Sequence, residues 1–308
     1  TGSCGLASHR DFPDPEDPQR FLTGFNPDEP ADDSLVVARI FDEDNCTRAT
    51  LVNYACHPTT LAWQNDLLSP DFPGALRELV EASTDAPCLF LQGASGELAP
   101  REQYVGDPGI AEGHGRVLGH AAMSILEQLA SGQGALTHTG ALESGAPLAR
   151  WGAAKEALPE NVSATAPSIE LSLKDDLPSL KEIKKQMAEI KKGFAYERLA
   201  RQLRVCESVG DGPVSPERIW SWALGAGALI AVPFEAYSML QRELRAENPH
   251  CLVLNLANGN HGYLPPSSLY EGPSLYSVWQ TPYAAGSLEL ITQLAQETLT
   301  PSKELHAL

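Results

Sequence analysis

Three residues of this chain carry donor atoms suited to one catalytic metal site: the imidazole of His57, the carboxylate of Glu235 and the phenol of Tyr263. Zinc accepts nitrogen and oxygen donors, and a catalytic zinc site takes about three protein ligands while leaving one position for water. A phenol ionises with an ordinary pKa of about 10, and a neighbouring divalent cation brings that within reach of neutral pH. No His-Glu-x-x-His pair occurs on one helix, which would be the strong local signal. A histidine at a strand end also serves commonly as a structural residue. The residue types therefore leave a metal role and a structural role both open. Ser95, in Gly93-Ala94-Ser95-Gly96-Glu97, is a second candidate. Its following glycine comes one place too early for a Gly-x-Ser-x-Gly elbow, so a serine nucleophile stands beside a simple tight turn.

The elements that must position these groups are apolar runs ending in polar clusters. Leu51, Val52, Tyr54 and Ala55 read as a buried strand that stops at Cys56-His57-Pro58, because proline supplies no N–H to a ladder. Phe90-Leu91-Gln92-Gly93, Ala231-Val232-Pro233-Phe234-Glu235 and the Asn258–Tyr263 segment repeat the pattern. Ligands of open α/β sheets bind beyond the strand ends. If these strands share a sheet, His57, Glu235 and Tyr263 converge at one rim.

Along the chain, Thr1–Asp33 is rich in Pro, Asp and Gly and reads as a surface loop. Leu35–Phe41 and Thr50–Ala55 form a hairpin around Asp42-Glu43-Asp44-Asn45. Asp71 is placed to cap a helix over Ala75–Ala82 that has Pro73 in its first turn. Cys88–Gln92 is a strand and Gly113–Leu129 an amphipathic helix. After a strand at Ile169–Leu173, residues 179–206 form a helix or helical hairpin broken near Gly193, with lysines on a solvated face. Arg218–Leu224 and Ala228–Val232 make a second hairpin. A helix at Glu235–Ala246, a strand at Leu252–Leu256 and a helix at Ala285–Leu299 close the chain. Strands and helices interleave, so the expected class is α/β: one domain over 1–308 with a mixed central β-sheet flanked by helices.

The 308 residues carry a net charge of −18, which argues against a nucleic-acid partner, and no apolar run reaches the ~20 residues of a membrane span. The six cysteines form no Cys-x-x-Cys pair, and Cys56, Cys88 and Cys251 adjoin apolar runs, as reduced structural thiols do.

Five segments in order carry a wider resemblance: Asn53–Thr59, Ser69–Gly74, Phe90–Arg101, Val232–Glu235 and Asn260–Pro265, with Tyr270 beyond. The chain resembles the catalytic domain of the neutral/alkaline ceramidase family, particularly its shorter bacterial members. That resemblance implies Zn2+ as cofactor and metal-activated hydrolysis of an amide, with His57, Glu235 and Tyr263 as ligands and His57 and Tyr263 as catalytic residues. It places Arg10, Asp71, Gly96, Glu97 and Tyr276 on the substrate side. The implied partner is a small or lipid-like amide. The implied location is periplasmic or extracellular, a cytoplasmic one being left open by the cysteines.

The departures are specific. The family's other zinc histidine belongs upstream of Thr1, Ala99 stands where ceramidases have a serine, and Phe234 replaces the glycine before the glutamate, narrowing the approach to the metal. The family's C-terminal immunoglobulin-like domain has no counterpart. The chain starting at Thr1 is therefore expected to bind metal poorly, and upstream sequence to restore the site. The alternatives kept open are a serine hydrolase using Ser95 and a non-catalytic binding module on a decayed ceramidase-like scaffold.

Overall fold

A computed structural model describes residues 1–130, 136–153, 162–210, 212–272 and 274–299. Four short strands come first: β1 (Gly2–Ser3), β2 (Ala7–His9), β3 (Asp11–Pro13) and β4 (Phe21–Thr23). The hairpin β5 (Ser34–Phe41) and β6 (Thr47–Tyr54) follows, then α1 (Phe72–Thr84), β7 (Cys88–Gln92), β8 (Leu98–Pro100) and α2 (Pro108–Ala130). Strands β9 (Leu136–Leu142) and β10 (Leu148–Ala153) pair with each other, and β11 (Val162–Thr165) and β12 (Ser168–Ser172) lead into helices α3 (Leu180–Glu189) and α4 (Phe194–Val209). The last part holds β13 (Val214–Arg218), β14 (Trp220–Leu224), β15 (Gly227–Ala231), β16 (Glu235–Ala236) and α5 (Met239–Glu247). It ends with β17 (Cys251–Leu254), β18 (Tyr263–Leu264), α6 (Tyr276–Gln280) and α7 (Ser287–Leu299).

The expected α/β class with mixed sheets and flanking helices is what the chain forms. The β-layer is doubled: one four-stranded sheet runs β1-β5-β6-β7 and another β11-β14-β15-β17. Both are mixed, because β6 pairs parallel with β7 and β15 parallel with β17 while the other pairs are antiparallel. The period-2 alternation explains how they stack. Leu35, Val37, Val52 and Tyr54 point one way and pack with Leu76 and Val80 of α1 and Leu118 and Ile125 of α2. Ala228, Ile230, Cys251 and Val253 pack with Leu240 and Leu244 of α5 and Leu288 and Ile291 of α7. The opposite faces meet each other through Val36 on one side and Leu229, Ala231 and Leu252 on the other. The result is a sandwich of helices, sheet, sheet and helices. Helices α1 and α2 approach closely at Gly115, where a Cβ would lie 2.4 Å from the Phe72 carbonyl oxygen.

One buried side chain joins the sheets. Asn53 Nδ2 donates to the carbonyls of Leu91 (2.9 Å) and Val253 (2.7 Å), while its Oδ1 accepts from the Val253 N–H (2.8 Å) and Arg245 Nη2 (2.9 Å). Its amide is thereby saturated.

Two local expectations change. Glu235 does not open a helix: it pairs in β16 with β18, and α5 begins at Met239. The N–H of Glu235 is taken by Gly262 and that of Tyr237 by Leu264, so this backbone is committed to a ladder instead of a helical turn. The Thr1–Asp33 segment is not simply surface loop, because β1 adds to β5 and β2 to β8, burying Leu6 and Ala7. No disulfide joins any of the six cysteines, five of which are buried. Among the described residues no helix is long and apolar enough to cross a membrane.

Candidate functional site

The site lies where the two sheets present their strand ends. Past β6 the chain runs through Cys56 toward a bend at Pro58, and His57 is fixed twice by one carbonyl: the Leu98 oxygen accepts from His57 N–H at 2.9 Å and from Nδ1 at 3.0 Å. Leu98 opens β8, which pairs with β2 in the register His9↔Leu98 and so brings Arg10 alongside. From the other half, the parallel pair β16–β18 sets Glu235 directly against Tyr263. Partners in register project side by side, so two short strands place a carboxylate and a phenol together. The four strand ends thus converge although β6, β8 and the β16–β18 pair belong to three different sheets.

His57 Nε2 lies 2.9 Å from Glu235 Oε2. Both ring nitrogens therefore face acceptors, a carbonyl and a carboxylate. A neutral imidazole donates from one nitrogen only. This arrangement is satisfied by an imidazolium, or by a cation that replaces the Nε2 proton. The Nδ1–H held by a backbone carbonyl is the orientation that metal-ligating histidines usually have. The Tyr263 hydroxyl accepts from Arg10 Nη2 at 2.9 Å and donates to Glu235. Burial disfavours the Glu235 carboxylate, but the hydrogen bonds from His57 and Tyr263 outweigh it and hold its pKa below the ordinary value. Burial pushes the Tyr263 phenol well above its ordinary pKa despite the neighbouring Arg10. His57 and Tyr263 are stacked, with ring centroids 6.3 Å apart.

The donor set of one imidazole nitrogen, one ionised carboxylate and one phenol fits a zinc ion with an open position. Among the described residues no three His, Cys, Asp or Glu side chains gather to hold a metal, so the set reaches three donors only by counting Tyr263.

A cavity of about 840 Å³ opens over these groups, with His57, Glu235, Tyr263 and Arg10 in its wall. Tyr276 also lines it, edge-on to Tyr263 at 5.8 Å. Asp71, Gly96 and Glu97 are not among its lining residues. Asp71 instead ties the loop after His57 to α1, its Oδ1 accepting from Phe72 N–H (2.7 Å) and its Oδ2 from Leu61 N–H (2.8 Å). Gly96 offers its carbonyl to Arg10 at 2.8 Å. A Cβ there would lie 2.4 Å from Tyr237 Cδ1 and 3.0 Å from the Glu235 carbonyl oxygen, which requires glycine. Glu97 is buried behind the site against Ser238, whose N–H it accepts at 3.0 Å; burial, only partly offset by these hydrogen bonds, raises its pKa to about 7.

Other expectations resolve by position. Phe234 does not narrow the approach to the site: it is fully buried, edge-on to Tyr283 at 5.4 Å. The chain bends at Pro233 and Phe234 before β16, and the ring packs in the core. His261 is held by Glu217, Nδ1 to Oε2 at 2.8 Å, and the Tyr283 hydroxyl donates to the same carboxylate at 2.6 Å. Ser95 is buried and its Oγ accepts from Gln92 Nε2 at 2.6 Å. Sequence reading missed Trp63, Tyr104, Phe194, Arg201 and Arg204 in the cavity wall. The available signal was the three-residue spacing of Arg198, Arg201 and Arg204 on a helix already expected there.

No known family model matches this chain, and no curated protein matches it either. Solved structures do. The crystal structure of a neutral ceramidase from Pseudomonas aeruginosa superposes with a TM-score of 0.57 and 15% identity, over 84% of this chain and 45% of that one. A structure described as ceramidase complexed with C2 superposes with a TM-score of 0.55 and 15% identity, over 88% of this chain and 49% of that one. The chain spans about half the length of these proteins. At this identity the likeness is one of fold, and the fold of this chain is ceramidase-like.

Proposed function

We propose that the chain is the core of a zinc-dependent hydrolase that cleaves an amide or related acyl bond with a metal-activated water. The observation that carries this reading is His57 with acceptors on both ring nitrogens, Leu98 O and Glu235 Oε2, in the wall of a large cavity. The ceramidase-like fold supports it, and a lipid-like amide is the substrate class that follows. His57 Nε2, Glu235 and Tyr263 would hold the metal. Bound there, zinc supplies Lewis-acid polarisation of the acyl carbonyl and a water of pKa near ~7, so no serine nucleophile is needed.

The chain's own residues do the rest. Leu98 fixes the His57 ring, Glu235 lies against its Nε2, and the buried Arg10 donates to the Tyr263 hydroxyl. Arg10 is positioned as a donor to a carbonyl oxygen that gains negative charge. Trp63, Tyr104 and Phe194 give the cavity apolar wall for an acyl chain.

The test is zinc analysis of the purified protein together with hydrolysis of N-acyl substrates before and after chelation. Stoichiometric zinc with chelator-sensitive turnover supports the reading. Turnover that ignores chelators and is lost on fluorophosphonate labelling would replace it with serine chemistry. No turnover and no zinc would leave a binding module. Zinc titration beside a chain extended upstream by some tens of residues tests the ligand set, and equal tight affinity in both would mean that these donors suffice.

A further inference from the structure

We propose that the cavity selects acyl amides whose polar end is anionic, such as N-acyl amino acids, and that Arg201 and Arg204 on α4 bind that charged group. This rests on the hydrolase reading for its chemistry, but on separate residues for its selectivity.

The chain as a whole carries a net charge of −18. The cavity wall runs against that bias: Arg10, Arg201 and Arg204 face two carboxylates, Glu197 and Glu235, and Glu235 is already engaged with His57. No ion pair formed among the described residues involves Arg10, Arg198, Arg201 or Arg204. Arg201 donates to the Tyr276 hydroxyl at 3.4 Å, and Arg198 lies 3.8 Å over the Trp279 ring beside it. That stacking holds a positive charge at the rim without neutralising it.

The geometry gives the cavity two ends. One face of α4 lines it, since Phe194, Glu197, Arg201, Arg204 and Val205 follow helical spacing. At the start of α4 the Phe194 ring meets Trp63 edge-on at 5.8 Å, which makes an aromatic end. Arg204 sits ten residues on, roughly 15 Å further along the axis at 1.5 Å per residue. Val205 at that end packs over Gly262, next to Tyr263. An amphiphile laid along α4 would place its apolar tail at Trp63 and Phe194 and its polar end at the arginines. Planar guanidinium groups match a carboxylate or phosphate in a two-pronged way. A neutral diol or alcohol head would leave those charges without a partner.

The experiment compares N-octanoylglycine with its neutral counterpart N-octanoylethanolamine, following binding by the fluorescence of Trp63 and Trp279 and turnover by fatty-acid release. Wild type is expected to bind the anionic ligand about tenfold more tightly at low salt, with the preference shrinking as salt screens it. Arg201→Gln/Arg204→Gln, at two exposed positions, should reduce the preference to about twofold or less. Lys191→Gln/Lys192→Gln, which removes the same charge outside the cavity, should leave it intact. Equal binding of both ligands by wild type, no binding of either, or a preference that survives the arginine double variant would overturn the proposal. Preferential binding without turnover would sink the hydrolase reading alone. Turnover of both ligands with no preference would sink this inference alone.

Discussion

The carbonyl of Leu98 accepts from both the backbone N–H and the ring Nδ1 of His57, at 2.9 and 3.0 Å. One backbone oxygen therefore sets both where His57 sits and which way its ring points. Because Nδ1 is committed, only Nε2 remains for Glu235 or a metal. His57→Ala should abolish zinc binding and lower hydrolysis by at least about 100-fold, since it removes the imidazole donor of the set. It should also raise the Glu235 pKa, because the hydrogen bond that opposes burial is gone. Zinc titration and the rate profile check this in one variant. Unchanged zinc affinity would show that the metal sits elsewhere.

Gly96→Ala forces a methyl to within 2.4 Å of the Tyr237 ring and 3.0 Å of the Glu235 carbonyl. Tyr237 cannot move freely, because its hydroxyl donates to Asp11 at 2.7 Å and accepts from Ser277 Oγ at 2.6 Å. The expected cost is about 1–3 kcal/mol, as for other overpacked sites. Denaturant unfolding measures it, and a loss under about 0.5 kcal/mol, the range of an ordinary surface change, would contradict the packing described.

Glu97 gives a stability slope with a definite sign. Its folded pKa is raised by burial from 4.5 to about 7, so between those values the folded chain keeps a proton that the unfolded chain releases. This contribution is full below pH 4.5 and is lost as pH rises toward 7. The difference amounts to about 3 kcal/mol across the window. Glu97→Gln should flatten the slope there, read as the difference between wild-type and variant unfolding curves from pH 4 to 8. Parallel curves would mean that Glu97 titrates normally.

Asp71 combines two hydrogen bonds with a left-handed backbone, φ 55°. Asp71→Ala loses both bonds and keeps a Cβ in a conformation that favours glycine. Asp71→Gly loses the bonds and relieves the backbone. Both should destabilise, by about 1–2 kcal/mol for the lost cap and the Leu61 bond, with Ala the worse of the two by up to about 1 kcal/mol. Thermal melts of the pair decide it, and an alanine variant as stable as the glycine one would refute the backbone argument.

Much of this arrangement was legible in the sequence. Strand runs that stop at His57, before Glu235 and before Tyr263 pointed to one rim, because proline and polar clusters end ladders where they occur. The doubling of the sheet was not legible, since alternation along Val36 and Val37 shows that both faces are buried but not what covers each. The apolar spacing from Ala236 to Leu244 fits a helix that would include Glu235, and a two-residue ladder leaves no periodic trace. Asp71 was correctly seen as a cap, and its second bond to Leu61 depends on a loop path that only the fold reveals. The cavity wall from α4 is not legible in the sequence, because the lysines of α3 and the arginines of α4 read alike as solvated faces and the arginine row gains its meaning only once α4 lies over Tyr276.

Three of the four bonds of Asn53, the two to Val253 and the one to Arg245, cross the plane between the two sheets, and the apolar contact there is thin beside the two helix-side cores. Each half of the sandwich thus has its own core and depends on this seam to melt together with the other. His57 belongs to one half, whereas Glu235 and Tyr263 belong to the other. Loosening the seam would pull the trio apart before either half lost its secondary structure. In Asn53→Leu, cooperativity itself should fail: catalytic competence would vanish in a first, shallow transition, and far-UV ellipticity in a later one.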